Sequence, residues 1–142
     1  MTLIVDAAPL VALADRRDPL QATIEAVLCD EHGELVIPAP TTAEVDYLLG
    51  RRLGRAARLA FLDDLAAGRF TVASLDAADH AVVTDLERRY HDLDAGLADL
   101  ATVVLAHRYE TLRLLTFDQR HFRTLQPLTG GSFTLLPSDG SH

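Results

Sequence analysis

The chain has 142 residues, 49% of them apolar and 24% charged, with 13 basic against 21 acidic side chains and a net charge of −8. That length suits one domain, the apolar share supplies a full core and argues against disorder, and the acidic balance excludes a globally basic nucleic-acid binder. All 13 basic residues are Arg, so chemistry that depends on a lysine amine is excluded as well.

Leu3-Ile4-Val5 reads as a first buried strand, ended by Asp6. Residues 7–14 read as a short helix with Pro9 in its first turn, where proline is tolerated. Asp18-Pro19 opens a second helix with Leu20, Ile24, Val27 and Leu28 at helical spacing. Gly33 ends it, and Leu35-Val36-Ile37 is a second strand closed by Pro38 and Pro40. A helix follows from Thr41 to Gly50, and the basic stretch 51–58 joins it to another ending near Gly68. Phe70-Thr71-Val72 is a third strand, followed by helices over about 76–90 and 95–107. Residues 112–117 form a fourth strand ending at Asp118, and Phe133 to Leu136 a fifth. Continuously apolar strands alternating with helices predict an α/β sandwich around a mostly parallel sheet of four or five strands.

In such a sheet, ligands bind outside the carboxyl ends of the strands. Asp6 and Asp118 fall at that edge, and Glu44 stands near the start of the helix after the second strand. Each also has a local explanation: Asp6 and Asp118 as helix caps, Glu44 as partner of Thr41 in a capping box. Asp99 is harder to explain locally. It is the single charge in the window 95–106, on a helix apolar on all sides, with no Arg within one turn. A cation from outside the chain is the simplest compensation. Two carboxylates about 4 Å apart repel by about 4 kcal/mol at an effective dielectric of about 20. A divalent cation removes that cost, and oxygen-only ligands favour Mg²⁺ or Mn²⁺ over zinc. Such a site suits phosphoryl chemistry.

The ordered segments Ile4-Val5-Asp6-Ala7-Ala8-Pro9-Leu10-Val11-Ala12-Leu13, Thr42-Ala43-Glu44-Val45, Gly96-Leu97-Ala98-Asp99-Leu100-Ala101, Leu115-Thr116-Phe117-Asp118-Gln119-Arg120-His121-Phe122 and Phe133-Thr134-Leu135-Leu136-Pro137 span nearly the whole chain. Together they resemble the PIN-domain nucleases, most closely the VapC toxins of bacterial toxin–antitoxin pairs. The resemblance implies a single PIN domain over residues 1–137, a three-layer α/β/α sandwich, with 138–142 as a disordered tail. It implies a Mg²⁺-dependent (or Mn²⁺-dependent) endoribonuclease in which Asp6, Glu44, Asp99 and Asp118 form an acidic quartet. Asp6 and Asp99 would be the principal metal ligands, Glu44 and Asp118 would complete the site, and Thr116 would orient a neighbour. In such enzymes a metal-activated water attacks the phosphodiester in line, leaving a 5′-phosphate. The partners implied are an RNA substrate, a cognate VapB-like antitoxin and a second copy of the chain. Ala8 departs from the family pattern, which often has a hydroxyl residue there. A catalytically degenerate PIN domain that only binds RNA or protein is therefore the alternative.

Other features are weighed against simpler readings. Arg51, Arg52, Arg55 and Arg58 give residues 51–58 a charge of +4 without an acid. Arg51, Arg55 and Arg58 share a face if one helix runs through Gly54, and with Arg120 they are candidate RNA contacts. Cys29 is alone, which leaves no intrachain disulfide framework, and it reads as a small core residue. No His pair has zinc-ligand spacing, and His121 reads as a packing residue. Asp94 is a plausible cap for the helix that carries Asp99. Phe61, Leu62 and Leu65 read as core. Receiver domains and haloacid-dehalogenase phosphatases also gather strand-end acids, but they commonly need a lysine. No leader or membrane span is recognised, so a cytoplasmic location without a membrane partner is expected.

Overall fold

Five apolar runs form the strands β1 (Thr2–Val5), β2 (Glu34–Pro38), β3 (Thr71–Ala73), β4 (Arg113–Leu115) and β5 (Thr134–Leu136). Between them lie α1 (Ala7–Ala14), α2 (Gln21–Asp30), α3 (Ala39–Arg52), α4 (Arg55–Ala66), α5 (Ala77–Arg89), α6 (Leu97–Arg108) and α7 (Gln119–Thr124). The computed structural model describes residues 1–140. All strand pairs are parallel, in the order β3-β2-β1-β4-β5. No described helix is long and apolar enough to cross a membrane.

Strand alternation sends successive side chains to opposite faces. Leu3, Val5, Ile37, Leu115 and Leu136 join one core with Leu10, Ile24, Val45, Leu49 and Phe61 from α1 to α4. Ile4, Val36, Leu114 and Leu135 join a second core with Val83, Leu86, Leu100, Val103, Leu105 and Phe122 from α5 to α7. The sheet is therefore covered on both sides, as an all-parallel sheet requires. α6 is buried without interruption from Leu100 to Ala106, which accounts for its apolar character all round.

The chain moves from β1 to β2 to β3 with helices on one face. It then crosses by α5 and α6 on the other face to lay β4 beside β1. The pair β1 and β4 is the point where strand order reverses, so a crevice opens at their carboxyl ends.

Several local expectations need correction. The helix after β2 starts at Ala39, with Pro40 in its first turn rather than outside it, and it runs through Gly50 to Arg52. The chain then breaks at Leu53 and Gly54, where Gly54 has φ 93°, before α4 begins. Arg51 is thus on one helix and Arg55 and Arg58 on the next, not on a continuous face. Cys29 is exposed rather than in the core. Gly96, not Asp94, is the N-cap of α6, and Asp94 adopts φ 60° upstream of it. α2 begins at Gln21, later than Asp18-Pro19, with Asp18 Oδ1 accepting from the Leu20 N–H at 2.8 Å.

Of the segment expected to be a disordered tail, residues 141 and 142 lie outside the described residues. Within them, Asp139 accepts from the Leu135 N–H at 2.8 Å and pairs with Arg123 at 2.6 Å.

Gly33 marks the entry to β2, where the Glu34 N–H donates to the Met1 carbonyl at 3.1 Å. A Cβ on Gly33 would stand 1.3 Å from that carbonyl oxygen. Backbone cannot yield there without breaking the first rung between β1 and β2. Gly33→Ala is expected to lower stability by about 2–4 kcal/mol, read from the urea denaturation midpoint.

Candidate active site

The crevice is built outward from β1. The Asp6 N–H still donates to the Leu115 carbonyl at 2.9 Å, so its backbone holds the sheet register. Its side chain caps α1: Oδ1 accepts from the Ala7 N–H at 2.8 Å. Oδ2 accepts from Thr116 Oγ1 at 2.7 Å. Thr116 is fully buried, and its N–H donates to the Leu136 carbonyl at 2.9 Å. Its oxygen in turn accepts from the Asp118 N–H at 3.0 Å. One hydroxyl therefore ties the end of β1 to the turn after β4. Asp118 is the N-cap of α7, with Oδ1 accepting from the His121 N–H at 2.9 Å.

The capping explanations for Asp6 and Asp118 are thus correct, and they also aim both carboxylates at the crevice. The capping box expected for Glu44 is absent. Because α3 starts at Ala39, Thr41 lies inside the first turn, buried, with its hydroxyl unpartnered among the described residues. Asp6, Glu44, Asp99 and Asp118 all line one cleft of about 500 Å³, together with Ala8, Gly96, Ala98 and Phe117. Glu44 reaches it from α3 at an exposed position, and Asp99 from the first turn of α6.

The sequence reading of His121 as a packing residue is corrected. His121 Nδ1 lies 2.9 Å from Asp99 Oδ2 and 2.8 Å from Asp118 Oδ2. One ligand atom each from Asp99, Asp118 and His121 lie within 4.8 Å of one another. The sequence signal was the i,i+3 spacing of His121 from Asp118, which places a helix side chain back over its own N-cap. The link to Asp99, 22 residues away, has no local signature.

Charge at the cleft is under-compensated. Burial pushes Asp6 above the usual carboxyl range against the hydrogen bonds from Thr116 and Ala7. Burial and then the charge of Asp6 push Glu44 up. Burial, followed by Asp6, carries Asp99 to about 6, although His121 works in the opposite direction. Carboxylates held this way fit a hard divalent cation, which replaces the solvation that burial removes. Of the candidate RNA contacts, none lines the acidic cleft. Arg58 is paired with Asp46 at 2.6 Å, and Arg51 lies beside it around a shallow depression with Tyr47 and Gly50. Arg120 is exposed on α7, just beyond Asp118.

Two outcomes follow from this geometry. Thr116→Val leaves the Asp118 N–H without an acceptor and Asp6 Oδ2 without its donor. It is expected to cost about 1–3 kcal/mol in urea denaturation, and Thr116→Ser to recover most of that. Asp99 has a raised pKa, so its contribution to stability is complete below the ordinary value of 3.8 and is lost as pH rises through about 6. In EDTA, Asp99→Asn should therefore gain roughly 1–3 kcal/mol over the parent above that range, with no gain at pH below about 4, by thermal denaturation across pH.

A family model described as PIN domain matches residues 3–126. The chain is 38% identical over 135 residues to Ribonuclease VapC26 of Mycobacterium tuberculosis (strain ATCC 25618 / H37Rv), covering 95% of this chain and 100% of that relative. Among solved structures it is similar to VapC20 of Mycobacterium tuberculosis, a Sarcin-Ricin loop cleaving toxin, with TM-score 0.76 and 17% identity over 84% of this chain and 92% of that one. It is also similar to VapBC2 from Rickettsia felis, bound to a DNA fragment from its promoter, with TM-score 0.66 and 16% identity over 95% and 97%. The two solved structures carry the fold alone. With a matched region that takes in all four cleft acids and a relative aligned along its full length, the chain belongs to the PIN domain family.

Proposed function

We propose that this protein is the toxin of a toxin–antitoxin pair and acts as a divalent-metal-dependent endoribonuclease. The observation that carries this reading is the convergence of four carboxylates, from four separate elements, on one cleft at the β1–β4 reversal. The name of the 38% identical relative, a ribonuclease, supports the same activity.

Asp6 and Asp99 are the proposed principal ligands, with Glu44 and Asp118 completing the site and Thr116 holding Asp6 in place. The chemistry that Mg²⁺ or Mn²⁺ supplies when bound is Lewis-acid polarisation of a phosphate oxygen and easier deprotonation of water. Asp6 and Asp118 contribute orientation, because each spends one oxygen on a helix cap, while the other is held by Thr116 in Asp6 and stands beside the His121 ring in Asp118. Arg51, Arg55, Arg58 and Arg120 are proposed to meet RNA phosphates outside the cleft, with Arg58 first released from Asp46. The proposed assembly is a homodimer in the cytoplasm, silenced by a VapB-like antitoxin that presents a basic side chain to the acids. A second reading, a degenerate binding domain, draws on Ala8, which lines the cleft without a hydroxyl.

The test separates the two. Antitoxin-free protein should cleave a structured RNA to 5′-phosphate ends with Mg²⁺ or Mn²⁺, and EDTA should stop it. Asp99→Asn should lower the rate at least about a hundredfold, as expected for loss of a group acting on the transition state, while retaining a cooperative melt. RNA binding without any cleavage by the parent would favour the degenerate domain.

A further inference from the structure

His121 meets two of the four cleft acids, yet an all-carboxylate account of the site gives it no role. We propose that His121 Nδ1 is a ligand of the bound cation beside Asp99 and Asp118, and that it biases the site toward Mn²⁺ over Mg²⁺. The inference rests on the reading above that the cleft holds a divalent cation.

Tertiary structure, not chance, brings the ring there. α7 is anchored by Phe122, which is buried and meets Phe133 edge-on at 6.4 Å, and by the buried Leu125. Asp118 caps the helix through Oδ1 and the His121 N–H, so its Oδ2 stays free, and the His121 ring folds back onto that oxygen. Asp99 Oδ2 approaches from α6 on the other side.

The distances of 2.8 and 2.9 Å from Nδ1 to the two oxygens match the separation of adjacent ligands around a small octahedral cation, about 3 Å for bonds of about 2.1 Å. A hydrogen bond has a similar length, but Nδ1 carries at most one N–H. That N–H lines up with Asp99, whereas the equally close Asp118 oxygen meets Nδ1 without hydrogen-bond alignment. A cation shared by the three atoms, which lie within 4.8 Å of one another, would engage the Nδ1 lone pair and both oxygens. Mg²⁺ prefers oxygen ligands and gives up water reluctantly, whereas imidazole nitrogen suits transition-metal dications. A single nitrogen in an otherwise carboxylate site is therefore a selectivity element.

The experiment loads the full-length protein with Mn²⁺ and records electron spin echo modulation. Coupling to ¹⁴N is expected in the parent, lost in His121→Ala and retained in His107→Ala, whose histidine is exposed and outside the cleft. His121→Ala should weaken Mn²⁺ about tenfold by calorimetry while Mg²⁺ changes less than about threefold. If His121→Ala does not fold, labelling the parent with ¹⁵N-histidine replaces it, and the ¹⁴N coupling should disappear. A parent that binds Mn²⁺ without nitrogen coupling overturns the inference and leaves the metal reading standing. Equal weakening of both metals in His121→Ala overturns the bias toward Mn²⁺, and the nitrogen coupling alone then decides whether the ring is a ligand. A parent that binds no Mn²⁺ overturns the metal reading and this inference together.

Discussion

The burial of mutually repelling carboxylates in one cleft beyond the carboxyl ends of β1 and β4 is the constraint around which this protein is organised. Asp6, Glu44 and Asp99 are all pushed toward the protonated state, and each shift begins with burial. A fold under selection for stability alone would not keep them there, since well-packed apolar residues are often neutral or better at such positions. The surrounding groups limit the cost without removing it. Thr116 and the Ala7 N–H solvate Asp6, and His121 stands against Asp99 and Asp118. What is left over is a surplus of negative charge that a bound cation would offset.

The scaffold meets that demand with ordinary local devices. Two acids of the cleft are helix caps, so the same hydrogen bonds that start α1 and α7 also fix the direction of the site. The sheet supplies the convergence: β1 and β4 are neighbours although more than 100 residues separate them, and Thr116 spans the two strand ends. α6, buried over a continuous run, acts as a stiff strut that holds Asp99 at its first turn. Site and core are therefore one construction rather than a site added to a core.

The same view reinterprets the charge of −8. Residues 1–50 carry −7 and residues 59–100 carry −6, against +4 in 51–58 and +1 in 101–142. Four of the negative charges stand in the cleft, where a divalent cation would offset them wholly or in part. The positive segment is divided between two helices by Gly54, so it forms a patch around the α3–α4 corner rather than a stripe along one face. A patch of this kind gives only weak long-range attraction for a polyanion against the net charge of the chain.

Local chemistry made most of this legible in the sequence. The strands could be read because β-branched and leucine runs flanked by Asp, Gly and Pro have few alternatives, and their ends shifted by only a residue or two. Asp99 could be singled out because one charge in an apolar helix contradicts its surroundings. The failures share a cause: Cys29 turned outward, Thr41 slid into a helix that began two residues early, and His121 found Asp99 on another element. Each depends on how whole elements sit against one another. The sequence by itself determined the periodicities, the caps at Asp6 and Asp118 and the identity of the four acids, because those are properties of a few adjacent residues. Only the tertiary structure decided that the acids share one cleft, that an imidazole stands among them and that the arginines turn a corner, because sheet order and crossover direction set which distant faces meet.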